Sequence, residues 1–134
     1  MNSLRGVVVS TRRSGGLMRV EVECCGTVVS AYLLDETERG LRAGTPVLLL
    51  FKESEAALAK GPIGLLSLRN RFTGHIRRIR MGELLAEVTV QIGDRPVVSI
   101  VSRGACEEMA LVEGDEVTVL VKANEMTLME AENG

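Results

Sequence analysis

Aromatic side chains are scarce in this chain of 134 residues: one Tyr (Tyr32), two Phe (Phe51 and Phe72) and no Trp. Stacking platforms for single-stranded nucleic acid are therefore poorly supplied, and the core has to be aliphatic, mostly Val and Leu. An excess of one charge is missing as well. The 16 basic and 18 acidic residues leave a net charge of −2, which removes the chain-wide basic field of a protein built to hold phosphates. The longest apolar runs are about five residues, such as Val47 to Phe51, against the ~20 of a bilayer-spanning helix. Met1 to Gly6 carries no hydrophobic stretch ending in a cleavage site. The single histidine, His75, and the three cysteines cannot supply a His/Cys metal cluster. Cys24 and Cys25 are adjacent and Cys106 stands alone, which argues against a secreted disulfide framework. No nucleophile elbow, phosphate-binding loop or dinucleotide fingerprint occurs. The expectation is a cytoplasmic binding protein that is not an enzyme and does not meet a membrane.

What the chain does have is an internal repeat. Gly6 matches Gly74, Gly15 matches Gly82, Ser30 matches Ser99, Gly44 matches Gly114 and Lys52 matches Lys122, a register of 67 to 70 residues. Local text agrees: Val28-Val29-Ser30 parallels Val97-Val98-Ser99, and Lys52-Glu53-Ser54-Glu55 parallels Lys122-Ala123-Asn124-Glu125. The join falls at Lys60-Gly61-Pro62-Ile63-Gly64, so repeats over 1–62 and 63–134 are expected.

Val20, Val22 and Cys24 alternate with Glu21 and Glu23, the period of a half-buried strand. Val28–Leu34 and Val47–Phe51 are β-rich runs, and Asp35 with Glu38 forms a capping-box pattern for a short helix. The second copy repeats this with Ile76–Arg80, Leu84–Ile92, Val97–Val101, a helix across Gly104–Met109, and Val117–Val121. Five short strands and one helix in about 65 residues predict an all-β chain of two tandem OB-like five-stranded barrels. A unit that small is marginal alone, so the copies should pack together or oligomerise.

Hydrogen-bond donors recur at strand ends. Ser67 and Arg69 precede Asn70 and Gly74, Ser102 opens the second helix, and Lys122-Ala123 closes the last long strand. A guanidinium, an ammonium, hydroxyls and free N–H groups suit a tetrahedral oxyanion. Each has an ordinary reading beside it: Ser102 is a good helix cap, and Arg69 and Lys122 fit a solvated surface.

The run Ser67-Leu68-Arg69-Asn70-Arg71-Phe72-Thr73-Gly74 resembles the Ser-Ala-Arg-Asn-x-x-x-Gly opening of the Mop, or TOBE, molybdate-binding domains. Val97 to Ser102, Leu111 to Val117 and Val121 to Glu125 follow that family's order, and the first copy keeps the same skeleton. The resemblance implies a tandem, di-Mop arrangement, as in molbindins and the sensing half of molybdate-responsive regulators. It implies molybdate, or tungstate as its mimic, bound as an intact oxyanion between subunits. Carried over residue by residue, the ligand would meet Ser67, Arg69, Asn70, Ser102, Lys122 and Ala123, with Lys52 as the first-copy counterpart. A homo-oligomer (dimer, trimer or larger) is implied, without direct nucleic-acid contact by this chain.

Departures from the pattern are concentrated in the first copy. Met1 stands in place of the opening Arg, Tyr32 or Leu33 falls near the hydroxyl position, and Glu53 follows Lys52, where a carboxylate repels a dianion. In the second copy Ala105 replaces a second hydroxyl. These departures keep a ligand-free TOBE interaction module in view. Arg77-Arg78-Ile79-Arg80, with Arg12-Arg13, supports an OB-type nucleic-acid module less well, because charge on an edge strand also discourages aggregation.

Overall fold

The computed structural model describes residues 1–34 and 40–131. Ten strands dominate it. β1 (Asn2–Ser14), β2 (Leu17–Cys24), β3 (Thr27–Leu34) and β4 (Pro46–Phe51) come from the first repeat, followed by a short β5 (Ala57–Ala59). β6 (Asn70–Met81), β7 (Leu85–Ile92), β8 (Arg95–Ser102), β9 (Glu116–Val121) and β10 (Thr127–Glu130) repeat the series. One α-helix, α1 (Arg103–Glu108), follows β8, and 3-10 turns at Glu53–Glu55 and Ala123–Glu125 precede β5 and β10. The expected all-β class holds, with two five-stranded sheets. The first-repeat capping-box residues, Asp35 and Glu38, lie outside the described residues.

Alternation of buried and half-buried positions, as at Met18, Val20, Val22 and Cys24, sets the inner face of each strand. The long strands β1 and β6 carry a bulge between Val8 and Ser10 and between Ile76 and Arg78. Bulges bend a strand and raise its twist, so one strand can pair on both sides of a closing sheet. Glycine completes the bend. A Cβ on Gly74 would overlap the Gln91 carbonyl oxygen, and one on Gly6 would meet Val22 and the Glu23 carbonyl. These are close backbone approaches that a side chain would block.

The sheets exchange their last strands. The orders are β10-β4-β1-β2-β3 and β5-β9-β6-β7-β8, all antiparallel pairs. β5, from the first repeat, pairs with β9 of the second, and β10 returns to pair with β4. The buried residues of both sheets form one contiguous core, in which Phe51 and Phe72 stack with ring centroids 6.3 Å apart.

Strand pairing also refines the repeat register. Val20 pairs with Ala31 and Val88 with Ser99, and Leu17 with Leu34 as Leu85 with Ser102. The offset is therefore 68 throughout the first three strands of each repeat, and 70 from β4 and β9 onward. Two expected matches slip by one: Ser99 is the counterpart of Ala31 rather than Ser30, and Ser14, not Gly15, matches Gly82. The hairpin turns are the reason. Gly15–Gly16 and Glu83–Leu84 are both two-residue loops, closed by Ser14–Leu17 and Gly82–Leu85, so glycine identity misled where turn length governs.

Candidate functional site

The two repeats meet through a reciprocal pair of buried asparagines. Asn70 is fully buried; its Nδ2 donates to the Ser30 carbonyl and its Oδ1 accepts from the Ser30 N–H, both at 2.8 Å. Asn2, the counterpart at offset 68, does the same with Val98, again at 2.8 Å both ways. Each amide thus mimics a peptide group and docks the start of β1 or β6 onto the third strand of the other repeat. Asn70 has both functional ends of its amide committed to the fold.

Around each asparagine the candidate donors fall into two groups. Asn70 pairs with Val121, so Arg69 and Lys122 leave the same end of that ladder step, and the turn beginning at Ala123 packs against β3. Ser67 lies just before, in an exposed segment held down by Arg71, whose Nε donates to Leu68 O at 3.1 Å and Nη2 to Leu66 O at 3.3 Å. Arg69, Asn70, Lys122 and Ala123 are therefore brought beside β3, with Ser67 in the exposed segment just ahead of them. Arg71 is a positioning residue that motif spacing did not single out; only its place inside the opening run hinted at it.

The other candidates sit elsewhere. Asn2 pairs with Phe51, so Lys52 leaves beside β8, against which the turn Glu53–Glu55 packs. Ser102 closes that same β8 and caps α1, its Oγ accepting from the Ala105 N–H at 3.0 Å. Lys52 and Ser102 thus belong to the second grouping, not to the one around Arg69. The strand end beside Arg69 carries Leu34, the counterpart of Ser102 at offset 68, rather than Tyr32 or Leu33.

The groupings differ in how far they satisfy themselves. Beside β8, the Lys52 N–H donates to Glu55 Oε1 at 2.8 Å in a capping box, and the Met1 ammonium is ion-paired with Glu53. That ammonium and a backbone hydrogen bond hold the Glu53 carboxyl below its ordinary value. Beside β3, Ala123 replaces Glu53, no capping box forms on Lys122, and the Lys122 N–H has no acceptor among the described residues. An anion would meet the Glu53 and Glu55 carboxylates in the grouping beside β8. In the one beside β3 it would meet a guanidinium, an ammonium and open N–H groups, with Glu125 the single carboxylate of the turn.

Exposed leucines rim both groupings. Leu65 and Leu66 precede Ser67, Leu34 ends β3, and Leu84 and Leu85 flank Ser102, Leu84 being 82% exposed. His75 is on the open face of β6, its Nε2 3.9 Å from Glu116 Oε2. Among the described residues no group of three or more His, Cys, Asp or Glu could hold a metal ion, and no helix is long and apolar enough to cross a membrane. Arg77, Arg78 and Arg80 are exposed on β6, the middle strand of its sheet rather than an edge strand, with Arg77 Nη1 donating to Gln91 Oε1 at 3.3 Å.

Comparison with known proteins places this geometry. The TOBE domain model matches residues 66–128. Two molybdenum-pterin-binding proteins of Clostridium pasteurianum, proteins 1 and 2, are 31% and 32% identical over 65 residues, 48% of this chain and 96% of each relative. The chain belongs to the tandem Mop/TOBE family. The molybdenum-pterin-binding protein MopA of Rhodobacter capsulatus is 30% identical over 134 residues, 95% of this chain, and the chain spans 50% of MopA's length. The solved structure of the cytoplasmic molybdate-binding protein ModG, with molybdate bound, superposes with a TM-score of 0.90 at 27% identity, covering 97% of this chain and 96% of ModG. The tandem OB-like architecture of this Mop/TOBE chain is thus shared across both repeats of the solved structure.

Proposed function

We propose that this Mop/TOBE chain binds molybdate, with tungstate as its mimic, in cytoplasmic molybdenum storage and homeostasis or as the ligand-sensing part of a regulator. The oxyanion stays an intact tetrahedral dianion held through its oxygens by donors, and no chemistry is done on it. The observation that carries the reading is the donor set beside β3: Arg69 and Lys122 at one ladder end, with an unoccupied Lys122 N–H and Ala123 in place of a carboxylate. The likeness to ModG and to the molybdenum-pterin-binding proteins supports it.

One chain does not complete the shell. The Arg69 grouping has a leucine where a hydroxyl is wanted, while Ser102 stands in the other grouping. Burying a dianion with part of its surface unpaired is prohibitively costly. In this reading the Arg69 grouping of one copy meets the Ser102 end of another, and the exposed leucines beside each form the apolar contact. The repeats, taken as 1–62 and 63–134, act as one body within each copy.

Two measurements test the proposal. Calorimetric titration should give tight molybdate binding that sulfate does not match, and Arg69→Ala should weaken it by about 1.5–3 kcal/mol, the range for a charged hydrogen bond. Wild-type affinity in that variant removes Arg69 from the site. Sedimentation velocity over a dilution series should show molybdate stabilising an oligomer by mass action. A monomer that still binds one oxyanion tightly would overturn the interface and leave the donor assignment standing.

A further inference from the structure

We infer that Cys24 and Cys25 form a vicinal dithiol site, at the β2–β3 turn, for a trivalent arsenic hydroxide: arsenous acid or its mono-organyl form. The two Sγ atoms lie 3.1 Å apart, and all three cysteines of the chain are free thiols. Cys24 is buried and ends β2; Cys25 is exposed.

The turn itself marks Cys25 as out of place. Cys24 pairs with Thr27, leaving Cys25-Gly26 as a two-residue loop with φ of +56° and +80°. Such loops favour Asn-Gly, Asp-Gly or Gly-Gly, because a side chain at positive φ is strained. The second repeat provides an internal control. Its residue at Cys25's position is Gly93, at φ +59°. One repeat uses the residue the backbone prefers, and the other keeps a thiol there beside a second thiol. Strain retained at a reactive group is the kind of outlier from which a site is argued.

The spacing selects among thiol chemistries. Adjacent Cα atoms are ~3.8 Å apart, below the ~4.4–6.8 Å of ordinary disulfides, so closing an S–S bond would distort the turn. Zinc would want four ligands and, with ~2.3 Å bonds in a tetrahedron, sulfurs ~3.8 Å apart. A pyramidal trivalent centre needs only two sulfurs at an angle near 90°. With bonds of about that same length, a 3.1 Å bite gives roughly 85°. The third bond of arsenic stays with its hydroxyl or carbon substituent.

Access runs along a cleft of about 260 Å³ lined by Arg5, Glu23, Cys24, Cys25 and Pro46 among others. Arg5 and Cys25 also line the neighbouring cleft on the Gly93 side. The exposed Cys25 reacts first and Cys24 closes the ring. Two As–S bonds form and two As–O bonds break; each thiol proton leaves with a hydroxyl as water. Arsenic stays trivalent throughout, so no oxidant is required. Burial, then the neighbouring Cys25 thiol, push the Cys24 thiol far above its ordinary value, so Cys24 enters this condensation carrying the proton it must deliver.

The test uses the folded full chain, freshly reduced, and phenylarsine oxide, whose hydrate is the mono-organyl hydroxide. Intact mass should show one adduct with two of the three thiols consumed. That adduct should survive excess monothiol and be removed by ethane-1,2-dithiol. Cys25→Gly, which installs the second repeat's own turn residue and should fold, must lose the monothiol-resistant adduct; Cys24→Val should lose it too, and Cys106→Ala should keep it. The inference is overturned by an unmodified wild-type chain, by an equally resistant adduct on Cys25→Gly, or by loss of two hydrogens as a disulfide in place of the adduct.

Discussion

Replacing Asn70 with Ala separates a structural role from a ligand role at one residue of the opening motif. In the folded chain its amide gives Ser30 both an acceptor and a donor at 2.8 Å, with the side chain wholly buried. Truncation orphans the Ser30 N–H and C=O at once. Each buried unsatisfied group costs about 1–3 kcal/mol; Ser30 is only half-buried, so water recovers part, and about 2–4 kcal/mol in all is the working figure. A chain of this size has roughly 7–20 kcal/mol in total, so the variant should fold with a midpoint lowered by roughly 10 °C. The assays are thermal unfolding, which reads that shift, and urea unfolding with the denaturant slope unchanged, both without oxyanion. Asn2→Ala should behave alike, because Val98 depends on it in the same way. The reasoning fails if Asn70→Ala loses less than about 0.5 kcal/mol of stability yet abolishes molybdate binding, which would make the amide a ligand.

Three further outcomes follow from the same geometry. Glu53→Ala gives the first repeat the residue that the second has at 123, and should raise molybdate affinity several-fold by removing about 1 kcal/mol of repulsion at contact distance; an unchanged isotherm refutes the carboxylate argument. Gly74→Ala forces a Cβ into the Gln91 carbonyl and should cost about 1–3 kcal/mol or more, read from the urea midpoint, whereas a neutral result would mean that β6 can uncoil there freely. Asp115 accepts from the Val112 N–H and pairs with Lys60 at 3.0 Å, and these contacts lower its carboxyl below the ordinary value. Its folded value therefore lies under the unfolded one, so its contribution is whole above the unfolded value and disappears as pH falls through the folded value. Asp115→Asn should flatten the acid side of a stability-versus-pH curve, and an unchanged slope between pH 5 and 3 (about the carboxylate range) counts against the pair.

Most of the strands were legible from their period. Val20, Val22 and Cys24 read as one inner face, and the structure buries all three. Ser102 read as a helix start, and its Oγ does cap α1, which begins one residue earlier than expected. The run Ile76–Arg80 read as a strand, and the structure extends it at both ends to Asn70–Met81, because bulge and glycine let β6 bend while it pairs on both sides. The grouping of the donors was not legible. Opening motif, Ser102 and Lys122 stand in one repeat of the sequence, yet Ser102 lies on β8, which faces Asn2 and Lys52 of the other repeat. Two buried asparagines decide that arrangement, and their partners lie 40 and 96 residues away. No local pattern carries a contact at that separation.

The exchanged strands explain why tandem duplication and site building go together here. β5 and β10 are short, three and four residues, too little to hold a hairpin's worth of structure alone. Each is placed by the 3-10 turn ahead of it, and those turns begin at the Lys52 and Lys122 steps of the candidate groupings. The chain that leaves Lys122 must therefore pass β3 before β10 can complete the first sheet on β4. Crossing between sheets carries the lysine and the N–H groups of its turn onto the other repeat. The linker is tied down at the same time: Lys60 Nζ donates to Met109 O at 3.1 Å and Ala110 O at 3.0 Å while pairing with Asp115. Loss of either crossing strand would open a sheet edge, split the shared core around Phe51 and Phe72, and move Lys52 or Lys122 away from its partner strand. Folding cooperativity and the placement of the donors rest on the same two crossings.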